Sequence, residues 1–432
     1  MVCRKSAVAA VAFLCAVLVE AAPLPESDGL VHEGVASCAS SICHGRVEPD
    51  ATATVWLNEY RIWLREDKHS GAYKLLLNEQ SQAIATKLGL PNAHEAPECL
   101  ACHADYVPVA QRGEKFRIED GVGCEACHGG SENWLKTHTE KTATHERNIA
   151  QGLYPSDALP ARSQLCLSCH LGTETKFANH EIMGAGHPRL SFDLLAFGVN
   201  QPFHYAVDED YRNRKATYDD IQTWLSGLAT QSRLTLDLMA GPVFPSTSLM
   251  PELALYECHT CHRPMDGNQW RVDSKYAASL PSGSVRLNDG ALQVFIVAME
   301  VINPSAADAI LGGLNELHSA SMKSKSGVQQ QASKLAQVMS GLDLALADRN
   351  YSAGEVAALR QHLLTAASEG EFHYYNAAEQ SFLAVETLLI AGGDSAVAAK
   401  ELDRWYATMA DENRFDANLF AKVAGTVLGA FK

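Results

Sequence analysis

The sequence predicts a mainly α-helical protein with much irregular structure, built in two unlike parts. Three observations carry that prediction. Pairs of cysteines followed directly by histidine recur between Cys38 and His262 and nowhere beyond. From Gly113 to Arg189 the chain is rich in Gly, Pro, Thr and His and shows no long apolar period, so an ordinary core cannot be read there. After Asn288 cysteine is absent, alanine is abundant, and apolar residues recur three and four apart, the period of an amphipathic helix. The expected division is therefore a leader over 1–21, a cysteine-rich domain over 22–287 and a helical domain over 288–432.

The leader comes first. Arg4 and Lys5 form a basic end, Ala7 to Val19 is an apolar run of 13 residues, and Val19-Glu20-Ala21 offers a small-x-small cleavage site. These are the three parts of a signal peptide, cleaved near Ala21. The competing reading is an uncleaved N-terminal anchor, but a membrane span needs about 20 apolar residues. No later run approaches that length. The mature chain is thus expected in the periplasm, without stable membrane insertion.

Cys99-Leu-Ala-Cys102-His103, Cys124-Glu-Ala-Cys127-His128, Cys166-Leu-Ser-Cys169-His170 and Cys258-His-Thr-Cys261-His262 all read C-x-x-C-H. Composition alone would yield about 0.01 copies in a chain of this length and content. The pattern is the attachment site of c-type haem. Two thiols one turn apart form thioethers to the porphyrin vinyl groups, and the next histidine is aimed at the iron as proximal ligand. Paired thiolates for zinc would not require a histidine after every pair, and a thioredoxin-type motif is a single C-x-x-C in a βαβ setting. Cys38-Ala-Ser-Ser-Ile-Cys43-His44-Gly45 has a longer loop but the same Cys-His-Gly ending as Cys127-His128-Gly129. It reads as a fifth haem site, with a local disulfide in an oxidising compartment as its alternative. Of 12 cysteines, Cys3 and Cys15 go with the leader, and the rest form five pairs with none left over. Five haem c groups are expected, with proximal His44, His103, His128, His170 and His262.

Between and after the motifs, helices are read over Val55–Leu64, Tyr73–Leu88 and Asp219–Met239, and Gly267 to Leu287 is a polar linker. In the histidine-rich stretch the porphyrins themselves would supply much of the apolar surface that the chain wraps. The tail reads as helices near 289–302, 305–322, 327–345, 353–368, 373–391, 395–409 and 412–430. Ser352-Ala-Gly-Glu355 is a capping box, and Gly392-Gly393 is a stop signal. Having no cysteine, the tail binds no haem covalently, and it is expected to act as a lid or docking surface.

Electron-transfer haems need a second axial ligand to stay low-spin. Loop histidines flanked by Gly, Ser, Thr, Asn or Pro are the first candidates: His69, His138, His180 and His187. His94 and His145 follow and are also taken as ligands. His32 and His204 rank below them, His259 lies inside its own motif, and His318, His362 and His373 belong to the helical tail.

The net charge is −16 at pH 7, and loss of the leader, with Arg4, Lys5 and Glu20, makes the chain one unit more negative. Such a surface does not suit nucleic acid or anionic lipid. It favours redox protein partners with basic docking faces.

The stretch Phe116-Arg-Ile-Glu-Asp-Gly-Val-Gly-Cys124-Glu-Ala-Cys127-His128-Gly-Gly130 resembles the multihaem cytochrome c-554 family, as do Leu165–His170, Gly184-Ala-Gly-His187-Pro-Arg-Leu190 and Cys258–Met265. The resemblance covers roughly residues 35–270. It implies closely stacked haems, mostly bis-His, with electron transfer as the activity; one haem of the founding tetrahaem member is five-coordinate. A fifth motif and the long tail are departures from the family pattern.

The function expected is a periplasmic multihaem carrier passing electrons between redox partners. The alternative is an enzyme oxidising or reducing a small nitrogen or sulfur compound at one five-coordinate haem. Related nitrite reductases carry C-x-x-C-K at the catalytic haem, and all five motifs here end in histidine.

Overall fold

Among the described residues the chain forms helices and turns and no strand; its β pairing is limited to single bridges, His32 with Arg112 and Tyr256 with Leu287. The computed structural model describes residues 22–49, 55–245, 250–262, 274–276, 280–281 and 283–431. The signal peptide read over Met1–Ala21, most of the polar linker and Arg263–Met265 lie outside them; in chain order motif 1 is Cys38–His44, motif 2 Cys99–His103, motif 3 Cys124–His128, motif 4 Cys166–His170 and motif 5 Cys258–His262. The mainly α class expected from the sequence is the class observed.

The cysteine-rich part is a series of short helices: α1 Glu59–Glu66, α2 Ala72–Leu75, α3 Glu79–Lys87, α4 Pro97–His103, α5 Glu125–His128, α6 His145–Ala150, α7 Leu159–His170, α8 His180–Ala185, α9 Leu194–Gly198 and α10 Glu209–Arg214. Local chemistry sets their ends. The periodic stretch 73–88 is cut in two at Asn78, whose side chain accepts from Ser81 N at 2.8 Å and caps α3 instead of continuing α2. Proline opens α4 and lies in the first turn of α7, where its missing N–H is no loss. Helix α7 stands in the region without apolar period. Its Leu159 and Leu167 are buried with Phe192 and Leu194 in a small separate cluster, and its last turn is occupied by motif 4.

The second part starts earlier than the apolar pattern of the tail. Helix α11, Asp220–Ala240, opens with a capping box between Asp219 and Gln222 and buries Trp224, Leu225, Leu228 and Leu236. It packs on α7 and α9 on one side. On the other it meets α12 Gly290–Ile302, α14 Lys325–Met339 and α15 Leu342–Ala347. With α13 Pro304–Ser321, α16 Ala353–Ser368, α17 Tyr375–Ala391, α18 Ala399–Ala407 and α19 Ala417–Gly429 these form one bundle with a continuous apolar core from Ile221 to Leu428. The core thus runs across the 287/288 division. The tail helices fall where their period places them, with a break at Gly341, which has φ +77. The capping box at Ser352 and Glu355 is formed, and α17 ends before Gly392-Gly393.

Trp405 is fully buried between Phe382, at 5.3 Å between ring centroids, and Phe420, at 5.1 Å. Trp405→Ala should cost about 3–5 kcal/mol from lost burial and an unfilled cavity. Denaturant unfolding followed through the tail's helical signal would measure it; a loss below about 1 kcal/mol would mean that the bundle collapses readily around the gap.

Candidate haem centres

Each motif sits on a short turn that brings its thiols and its histidine to one side. Motifs 2 and 4 occupy the last turns of α4 and α7. Motif 3 ends α5, and Gly129, at φ +80, turns the chain away; a side chain there would meet Gly152 O at 2.7 Å. Motif 5 lies on a single 3-10 turn, Cys258–Thr260. In motif 1 the longer loop folds back so that His44 N donates to Cys38 O at 3.1 Å. None of the ten described cysteines forms a disulfide, Cys38 and Cys43 among them. Thiols of different motifs lie close enough to interact: Cys38 with Cys124, and Cys102 with Cys169. In the second pair the contact with Cys102 lowers the Cys169 thiol to about 6 against the opposing effect of burial, and Cys102 is raised.

Every motif histidine faces a second histidine. Ring centroids are 6.2 Å apart for His44 and His138, 6.4 Å for His103 and His187, and 6.1 Å for His128 and His204. They are 6.2 Å apart for His170 and His69, and 6.3 Å for His262 and His180. Two imidazoles on one metal, each nitrogen about 2 Å from it and about 1.2 Å from its own ring centre, would stand about 6.4 Å apart. The spacing therefore fits one iron between each pair.

The outer nitrogens support the same reading, because a ligating histidine commonly donates its other N–H to a carboxylate or carbonyl. His44 Nδ1 donates to Glu59 Oε2 at 2.9 Å and His69 Nδ1 to Asp67 Oδ1 at 2.8 Å. Carbonyl oxygens take the Nδ1 proton of His103 (Ala72 O, 3.2 Å), His138 (Trp134 O, 3.1 Å) and His187 (Pro188 O, 2.8 Å). In all five it is Nδ1 that is engaged, which leaves Nε2 as the nitrogen available to a metal. Burial lowers His128 to about 3 and His170 to about 4, and it lowers His103 as well. These rings are held neutral, the form that binds a metal. The hydrogen bonds to Glu59 and Asp67 instead raise His44 and His69.

Two histidines taken as ligands from the sequence stand elsewhere. His145 turns Nε2, the nitrogen an iron would need, to Asp157 at 2.9 Å. His94 packs edge-on against Tyr73 and has Gln82 within 3.4 Å of Nδ1. The place opposite His128 is taken by His204, which the flanking-residue criterion ranked low. That criterion rewarded small and polar neighbours, and His204 lies in Pro202-Phe-His-Tyr205, between two aromatic residues. Counting could not have found it, since six candidates already stood for five places. His32 is fully buried, with Nδ1 on Asp105 at 2.9 Å and Nε2 near Pro25 O at 3.3 Å. His259, His318 and His362 are bound to Glu412 O, Asp289 and Glu300.

Residues 37–129, which take in the first three motifs, match the family model of cytochrome c554 and c-prime. The match supports a c-type cytochrome. That family implies haem c and a part in electron transfer. No match to a curated protein or to a solved structure was found. The cytochrome's fourth and fifth motifs lie beyond the matched segment, and their reading rests on their own residues.

Proposed function

We propose that this cytochrome is a multihaem electron carrier binding five haem c groups, each with two axial histidines: His44 with His138, His103 with His187, His128 with His204, His170 with His69, and His262 with His180. The observation that carries this reading is the facing of every motif histidine by a second imidazole at 6.1–6.4 Å. Haem c bound there supplies a one-electron iron couple. The chain's part is to attach the porphyrin through ten thiols, to fill both axial positions and to exclude water. With both positions filled, the carrier is favoured over the enzyme with an open iron. The contacts Cys38–Cys124 and Cys102–Cys169 support neighbouring attachment points for motifs 1 and 3 and for motifs 2 and 4.

In this reading the protein is exported to the periplasm and meets the basic faces of its partners, which complement the strongly negative charge of the exported chain. No helix among the described residues is long and apolar enough to cross a membrane.

The exported protein should have an intact mass exceeding its polypeptide mass by five haems, and its ferric electron paramagnetic resonance (EPR) spectrum should be low-spin throughout. Four haems with a Cys38–Cys43 disulfide would remove the first site alone. A substantial high-spin signal in the native protein would return the enzyme reading to first place.

A further inference from the structure

The segment that follows His187 is gripped by the C-terminal bundle. Arg189 Nη2 donates to both oxygens of Glu379 on α17, at 3.0 and 3.2 Å, and Arg189 Nε donates to Glu412 at 3.2 Å. The guanidinium also lies over the Tyr375 ring, 5.2 Å from its centroid. Ser191 Oγ donates to Glu379 at 2.6 Å, and Gln380 Nε2 donates to Phe192 O at 3.1 Å. The same corner of the bundle holds motif 5. His259 Nε2 meets Glu412 O at 2.6 Å, and its ring packs on Tyr375 at 5.1 Å. On the N-terminal side of the loop, Lys87 Nζ donates to Ala185 O at 2.9 Å, and Gly186 takes φ +122.

We infer that Glu379 is a positioning residue for axial ligation: through Arg189 and Ser191 it fixes the backbone that carries His187, so that His187 stays opposite His103. The bundle is then a clamp on the haem domain. The physical reason is the loop itself. Helix α8 ends at Ala185 and Gly186 takes φ +122, so His187 follows a glycine turn rather than a helix, and its position depends on what holds the residues after it. Arg189, mostly buried and shared between the carboxylates of Glu379 and Glu412, supplies that anchor through charge-assisted hydrogen bonds. This inference rests on the axial pairing proposed above.

The test compares four holo-proteins. His187→Ala identifies which haem signal belongs to this ligand. Glu379→Gln, which keeps the side-chain volume but loses the charge, should produce a high-spin fraction at that same haem. It should also speed cyanide binding there by about 10- to 100-fold, the usual loss when an outer partner of a ligand is removed. Amide hydrogen exchange should rise over residues 186–192. Arg189→Ala should do the same more strongly. Glu300→Gln is the control, since Glu300 joins Lys275, Tyr276 and His362 within the bundle and touches no haem segment; it should change neither spectrum nor cyanide rate. Unchanged spectra and exchange in Glu379→Gln, with a clear change in His187→Ala, would overturn the clamp and leave the pairing standing. An unchanged spectrum in His187→Ala would overturn the pairing itself. Loss of every haem in both Glu379→Gln and Arg189→Ala would also count against the clamp, because it would show a requirement for folding rather than for one ligand.

Discussion

His204→Ala is expected to turn one haem in five from low-spin to high-spin without changing the haem count. The thioethers of Cys124 and Cys127 and the proximal His128 are untouched, so the porphyrin stays attached. Only the imidazole 6.1 Å across from His128 is removed. No described histidine other than His204 faces His128, so the open position would be left to water. The matching expectation is that His94→Ala and His145→Ala leave all haems low-spin, since the first ring stands against Tyr73 and Gln82 and the second on Asp157. EPR of the three ferric variants decides the matter. A high-spin signal from His145→Ala with none from His204→Ala would sink the pairing.

The second large effect concerns stability. Asp289, at the start of α12, is almost wholly buried and accepts from Arg286 Nε at 2.9 Å, Gln293 Nε2 at 2.8 Å and His318 Nε2 at 2.9 Å, with Arg286 Nη2 as a fourth donor. Arg286 and His318 are buried as well. Asp289→Ala would strand the guanidinium away from water and should cost about 3–5 kcal/mol. That is a large share of the roughly 5–15 kcal/mol that holds a domain folded. Denaturant unfolding of the holo-protein measures it, and a loss under about 1 kcal/mol would show that water reaches the site.

The acid limb carries the same information. Burial would raise the Asp289 carboxyl, but the Arg286 charge and His318 outweigh it and hold the carboxyl below its ordinary 3.8. A depressed carboxyl contributes stability that is complete above the unfolded value and lost as the pH falls through the folded one. The wild type should therefore lose this contribution below about pH 3.8, and the variant has none to lose. Burial lowers His318 from 6.5, so its contribution begins to fall earlier, below that value. The difference in stability between the two proteins should be steady above about pH 3.8 and begin to narrow below it. Parallel curves would refute the assignment.

The tail helices were legible because they bury apolar faces against one another, and burial leaves a period in the sequence. Gly341 and Asn78 show the limit of that signal. Each interrupts a continuous apolar pattern, one with a positive φ and the other with a side-chain cap, and periodicity records neither. Helix α11 was legible as a helix but not as part of the bundle. Its period says which residues are buried and leaves open what buries them. A truncation after Leu287, which sequence alone suggests as a clean cut, would strip the partners from Trp224, Leu228 and Leu236.

The sequence by itself determined the attachment chemistry. Thioether formation and proximal ligation are local events within a few residues, so C-x-x-C-H carries them in full, and the count of cysteine pairs follows from arithmetic. It determined the helical class for the same reason, since backbone period is local. In the proposed pairing, the choice of distal histidine rests on the tertiary structure alone. His69, before motif 2 in the chain, faces the histidine of motif 4, and His138, after motif 3, faces that of motif 1. An iron has no register along the chain. Its second ligand is whichever imbalance of packing and hydrogen bonding leaves an Nε2 pointing into the gap, and that is settled by segments a hundred residues apart. His145 and His204 differ in this alone: Asp157 took the ring nitrogen of one, and nothing among the described contacts turned the other away from His128.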